Sequence, residues 1–172
     1  HSFWVPKLGG KTDLVPNNTN RMWLKADEPG IYFGQCAEFC GLSHAFMRLR
    51  VVAQAQADFD KWVMAQQAPP VVATEALMVE GARIFTDEAL AGGQRCAYCH
   101  TVEGLSQGTT GPNLSHLASR DTIAGALMDR NDANLAKWLE NPLAVKPGSF
   151  MPDLDLNEQQ VSALVAYLQN LK

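Results

Sequence analysis

The stretch Gly34-Gln35-Cys36-Ala37-Glu38-Phe39-Cys40-Gly41-Leu42-Ser43-His44-Ala45-Phe46-Met47 governs how the chain is read. It brings two thiols, an imidazole, a carboxylate and a thioether together, a density of soft donors that core packing does not require. Thiolate and thioether sulfur select soft metals, and one Cys, two His and a weak Met make a mononuclear copper set. Here there is one thiol too many for that set. Cys36 and Cys40, flanked by Gly34 and Gly41, can both turn inward and bridge two copper ions, each of which then needs one imidazole and one weak ligand. His44 and Met47 supply one half, and the second imidazole must come from outside the loop. Two other readings use the same residues. One is a Cys36–Cys40 disulfide in an oxidising compartment. The other is a zinc site, for which Met is a poor ligand and the usual second Cys pair is missing.

With its flanks His1-Ser2-Phe3-Trp4-Val5-Pro6 and Gly10-Lys11-Thr12-Asp13-Leu14-Val15-Pro16, the loop resembles the binuclear copper (CuA) domain of cytochrome c oxidase subunit II, over residues 1–65. The resemblance implies that His1, Cys36, Cys40, His44, Met47 and the backbone carbonyl of Glu38 are the copper ligands. It also implies that the Glu38 carboxylate faces a magnesium or manganese ion at the border with subunit I. About 65 residues are too few to close a Greek-key barrel, so further strands and a transmembrane hairpin are expected ahead of His1.

Local patterns divide the chain into residues 1–65, a linker at 66–73 and residues 74–172. In the first part, Met22–Lys25 and Ile31–Phe33 read as short strands around the turn Asp27-Glu28-Pro29-Gly30. Met47, Leu49 and Val51 alternate with arginines, the period-two pattern of a half-buried strand. Asp58 is placed to cap a short helix with Phe59, Trp62 and Val63 on one face. Gln66-Gln67-Ala68-Pro69-Pro70-Val71-Val72 has the composition of a stiff linker.

Thr74 then reads as the cap of a helix from Glu75 to Phe85, with Leu77, Gly81, Ile84 and Phe85 in one apolar sector. After Gly92-Gly93 comes Cys96-Ala97-Tyr98-Cys99-His100, the C-x-x-C-H string of covalent haem attachment, in which two thiols form thioethers and the adjacent His binds iron. C-x-x-C also occurs in redox disulfides and zinc sites. Met151, in the proline-pinned segment Lys146-Pro147-Gly148-Ser149-Phe150-Met151-Pro152, is the candidate second axial ligand; Met78 and Met128 lie in patterns read as helical, where Met is usually core filler. Asp132–Glu140 reads as a helix with Leu135, Trp138 and Leu139 inward, and Asn157 with Gln160 as a capping box before a last apolar helix.

Over nearly its whole length this half resembles class I cytochromes c. That resemblance implies that the Pro112 carbonyl in Gly111-Pro112-Asn113-Leu114 accepts a hydrogen bond from His100, and that the last helix crosses the first, pairing Tyr167 with Gly81 and Phe85. His116 is left as a loop residue without a metal role.

The expected fold is therefore multi-domain: a partial all-β, cupredoxin-like CuA domain followed by an all-α class I cytochrome c domain. Residues 1–65 carry seven basic and six acidic side chains, residues 74–172 seven and twelve, a balance that argues against nucleic-acid binding. No run of eighteen apolar residues occurs. Both halves carry redox ligands and neither has spare ligands for oxygen chemistry, so a relay is expected, with catalysis elsewhere. The fused arrangement resembles subunit II of caa3-type cytochrome c oxidases. This implies a bacterial inner-membrane complex with these domains on its outer, periplasmic face, partnered by subunit I and other oxidase subunits. It implies an upstream cytochrome or respiratory complex as electron donor, binuclear copper and covalent haem c as cofactors, and membrane attachment through helices ahead of His1. A nitrous-oxide or nitric-oxide reductase component and a soluble copper and haem shuttle are the alternatives; Glu38 disfavours the nitrous-oxide enzymes, which resemble this loop but typically carry Trp there.

Overall fold

The computed structural model describes all 172 residues. Its first part is built on a four-stranded antiparallel sheet of β1 (Ser2–Trp4), β2 (Thr12–Asp13), β3 (Gly30–Cys36) and β4 (Arg48–Ala53), in the order β2-β1-β3-β4. β3 and β4 pair from Gly30 with Ala53 to Gln35 with Arg48, and the donor-rich loop is the connection between them. The Cys36 N–H closes the base of this loop on the Met47 carbonyl at 2.9 Å. Gly34 is required here: a Cβ would lie 2.7 Å from Leu49 Cδ1 and 2.8 Å from Val5 Cγ2, so only glycine lets the fully buried Val5 and Leu49 meet across the sheet.

Met22–Lys25 does not form the expected strand. β1 and β3 already have a neighbour on each side, the segment pairs with neither, and Trp23 is 96% exposed. Helix α1 (Gln56–Gln67) begins before Asp58, which sits in its first turn and pairs with Lys61 at 3.2 Å instead of capping. Phe59 and Trp62 stack at 5.8 Å on α1, half-exposed, and the helix runs two residues into the stretch read as linker.

The second part packs around α2 (Ala76–Thr86) and α6 (Glu158–Leu168). Their crossing depends on Gly81, where a Cβ would lie 2.6 Å from Tyr167 Cβ. Phe85 and Tyr167 meet at 5.7 Å between ring centroids beside it, and Ile84 and Leu164 are buried in the same core. α2 starts one residue later than expected, with Glu75 and not Thr74 at the N-cap position and no side-chain capping bond. Leu77 is half-exposed, because it borders the open groove beside the start of α6 and not the crossing itself. Between them lie α3 (Cys96–Cys99), α4 (Asp132–Glu140) and α5 (Pro142–Val145). Two small antiparallel ribbons, β5 (Thr101–Val102) with β6 (Ser106–Gln107) and β7 (Thr122–Ile123) with β8 (Met128–Asp129), complete this part. Met128 is thus on a strand, not a helix.

α4 buries Leu135 and Leu139, with Trp138 half-buried against the core. The Asn157–Gln160 capping box forms in both directions at 2.9 Å, satisfying two of the free amides at the start of α6. No helix is long and apolar enough to cross a membrane.

Candidate metal centres

Strand pairing assembles the first site. β1 lies between β2 and β3 with Phe3 opposite Cys36, so the residue before β1 arrives beside the end of β3. The Leu14 N–H binds the His1 carbonyl at 2.8 Å and fixes it there. His1 Nδ1 lies 3.9 Å from Cys36 Sγ, and the donor atoms of His1, Cys36 and Cys40 all fall within 4.8 Å of one another. Beyond the sharp turn at Gly41, a 3-10 turn over His44–Phe46 carries one of the other two donors and ends at the second, Met47. His44 Nδ1 stands 3.6 Å and Met47 Sδ 3.9 Å from Cys40 Sγ. Each sulfur therefore has an imidazole against it, and the thioether stands with the second.

The two sulfurs are 3.7 Å apart and both cysteines are free. A disulfide requires about 2.05 Å. The Cys36 thiol also reaches the Glu38 carbonyl at 3.1 Å, which places that oxygen at the same centre, while Glu38 itself is exposed. Burial raises the Cys36 thiol, but hydrogen bonding with the Glu38 and Ser2 backbone and with Cys40 and His44 outweighs it and brings the group down to about 7. Cys40 moves upward, through desolvation and then through Cys36 beside it. A readily formed thiolate next to a second sulfur, two imidazoles and a thioether fits a soft metal pair better than zinc, since the thioether has no use in a zinc shell.

The second site is a single turn of chain. α3 presents Cys96 and Cys99, and His100 follows in extended backbone. His100 Nδ1 donates to the Pro112 carbonyl at 2.9 Å. A carbonyl only accepts, so this nitrogen carries the proton and Nε2 keeps its lone pair for a metal. Burial holds His100 below the usual imidazole range, the Pro112 contact opposes this, and Arg120 adds to it. The ring is thereby held neutral, the ligating form.

Gly108 and Gly111 make this closeness feasible. A Cβ on Gly111 would lie 2.6 Å from His100 Cε1, and one on Gly108 would lie 2.6 Å from the His100 amide nitrogen. Sequence reading quoted Gly111 only as part of a motif and passed over Gly108; the G-x-x-G-P spacing after the C-x-x-C-H string was the available signal. Arg120, which donates to the Asn113 carbonyl and in turn accepts through its own carbonyl from Arg130 at 2.6 Å, carried no sequence signal.

Burial pushes the Cys96 thiol up to about 11. Cys36 and Cys96 thus move in opposite directions, the first by hydrogen bonding and the second by burial. Met151 is half-buried against the core, in a loop pinned by Pro152 and by the bond from its own N–H to Ser149 Oγ at 3.3 Å. His116 is a half-buried loop residue whose Nδ1 has no partner.

Residues 1–55 match the family described as cytochrome c oxidase subunit II, periplasmic domain, and residues 78–172 match cytochrome c. The whole chain is 43% identical over 173 aligned residues to cytochrome c oxidase subunit 2 of Alkalihalophilus pseudofirmus, and covers 48% of that protein. It is 40% identical to the subunit 2 of Bacillus sp. strain PS3 and 33% identical to that of Bacillus subtilis, covering 50% of each. The chain spans about half the length of the curated relatives it matches. Through residues 78–172, more than half of its length, the chain therefore belongs to the cytochrome c family, joined to a segment, residues 1–55, that matches the periplasmic domain of cytochrome c oxidase subunit II.

Proposed function

We propose that the chain is the electron-relay part of a caa3-type cytochrome c oxidase, taking electrons at haem c and passing them through a binuclear copper centre to the oxygen-reducing subunit I. The convergence of three side-chain donors on two unbonded cysteines carries this reading: three contacts link imidazole or thioether to sulfur at 3.6 to 3.9 Å, with no disulfide between the thiols. His1, Cys36, Cys40, His44 and Met47 would hold the copper pair, with the Glu38 carbonyl as the remaining weak ligand. Haem, when bound, supplies a one-electron couple, and His with Met as axial ligands raises its potential and leaves no position for substrate. Cys96 and Cys99 would attach it, and His100, oriented by Pro112, and Met151 would ligate its iron.

The exposed Glu38 carboxylate is proposed to meet a magnesium or manganese ion where this domain borders subunit I. The partners are subunit I, the other oxidase subunits and an upstream cytochrome or respiratory complex. The complex sits in the bacterial inner membrane, held there by helices that precede these residues in the full protein, with both domains on the periplasmic side. Within the chain, the short linker makes the two centres intramolecular neighbours, which replaces a diffusional encounter with a high effective concentration.

Metal analysis with electron paramagnetic resonance tests the proposal. The expected result is two coppers sharing one unpaired electron and one low-spin haem per chain. Iron without copper would overturn it.

A further inference from the structure

Two loops from opposite domains meet at one point. The Ser43 hydroxyl donates to the Pro147 carbonyl at 2.6 Å. Gly148, at φ +81°, comes close enough that a Cβ would lie 2.9 Å from Leu42 Cβ and 3.2 Å from the Ser43 amide nitrogen. Ser43 immediately precedes His44, and Gly148 stands three residues before Met151. The loop that offers an imidazole to the first centre therefore touches the loop that offers a thioether to the second.

A further contact ties the same domains together at their flank. Arg50 donates to Asp129 at 3.3 Å while its guanidinium lies 5.4 Å from the Phe33 ring centroid. Near it the domains are separated by an open cleft of about 440 Å³ lined by Phe33, Gly34, Arg50, Ala126 and Leu127. The approach at Ser43 and Gly148 is thus local and not the by-product of a continuous apolar interface.

We propose that Ser43 and Gly148 are positioning residues, which dock the Met151 loop on the His44 loop and so set the rate at which an electron crosses between the two centres. This rests on the function proposed above. One electron leaves ferrous haem, which becomes ferric, and enters the copper pair, which is reduced by one; no bond forms or breaks and no proton moves. Tunnelling falls steeply with the gap, and a direct contact of van der Waals and hydrogen-bonded atoms between the two ligand loops shortens it. One hydrogen bond between partly exposed groups contributes only about 1 kcal/mol to stability. Domains in one chain move relative to one another unless their interface is large and apolar. What the contact determines is a distance, and the left-handed backbone at Gly148, with no room for a side chain, is what that distance demands.

The test uses the chain with both metals bound, as parent and as Ser43→Ala and Gly148→Val. Haem is reduced by a light pulse and its reoxidation by the copper centre is followed. Amide hydrogen exchange at residues 42–44 and 148–149 reports the contact itself. Gly148→Val is expected to slow the transfer several-fold and Ser43→Ala to slow it less, with faster exchange at these amides and unchanged haem and copper spectra. Should Gly148→Val disturb the Met151 band, Ser43→Ala decides by itself, since it lies on the other loop and keeps the backbone. Transfer at the parent rate in Ser43→Ala, despite lost amide protection, would overturn the inference, as would amide protection unchanged in both variants. A parent chain that binds both metals but shows no transfer would instead overturn the proposed function.

Discussion

Cys36 and Cys40 hold their sulfurs 3.7 Å apart, with the His1 imidazole beside the first and the His44 imidazole beside the second. The arrangement is nearly symmetric about the two sulfurs although its members come from both ends of a long segment. It suits two ions that share both thiolates, because each ion then finds one imidazole of its own.

Cys40→Ser removes one bridging sulfur and leaves the hydroxyl, a hard donor, in its place. The copper content is expected to fall from two per chain to one or fewer, and the shared-electron resonance signal to collapse to that of a single ion. An unaltered copper count and spectrum would show that Cys40 does not bridge.

Met151→Ala should leave haem covalently attached through Cys96 and Cys99 while removing its second axial ligand. The midpoint potential is expected to drop and the iron to become open to small ligands such as carbon monoxide, since the thioether both raises the potential and closes the sixth position. Redox titration and ligand binding check this. A potential equal to the parent's would mean that another residue is axial.

Gly81→Ala tests the helix crossing. In an exposed helix the change would stabilise by about 1 kcal/mol, but here the new methyl meets Tyr167 Cβ at 2.6 Å and the backbone of Ala163. A net loss of about 1 to 3 kcal/mol is expected, the range for overpacking a dense core. Denaturant unfolding followed by haem absorbance measures it. An increase in the midpoint would mean that α2 and α6 can move apart at no cost.

Tyr167 carries a pH dependence. Its burial pushes the phenol up to about 12 from an unfolded value of about 10. The folded state binds this proton more tightly, so the stability it contributes is complete below about pH 10 and is lost as pH rises towards about 12. Tyr167→Phe retains the ring against Phe85 and removes the ionisation. Its unfolding free energy should fall less over that range than the parent's; identical slopes would show that another group governs the alkaline loss.

The candidate ligands were legible as clusters where they are contiguous. Cys36 to Met47 and Cys96 to His100 each fit within a single loop or turn, so spacing alone brought their donors together. His1 required the family resemblance; its physical basis, the place of β1 between β2 and β3, is a pairing fact that spacing does not contain. The errors share a cause. Met22–Lys25 has strand composition but no free partner beside β1 or β3, Asp58 and Thr74 have capping side chains but their helices start elsewhere, and Leu77 has helical spacing but borders a groove. In each case local preference was right about chemistry and tertiary arrangement decided the outcome. The Ser43–Pro147 contact was out of reach, because it joins two ordinary residues 104 positions apart.

The anchoring of His1 by its neighbours on the sheet has an effect on the chain's resistance to heat. An ion held by His1 and Cys36 joins residues 35 positions apart that meet only in the folded sheet, so its binding free energy adds to that of folding. Copper would act as a rivet for the sheet as well as a conductor, and a chelator that strips it should lower the melting temperature of this domain while the haem domain, closed by its own α2–α6 crossing, holds.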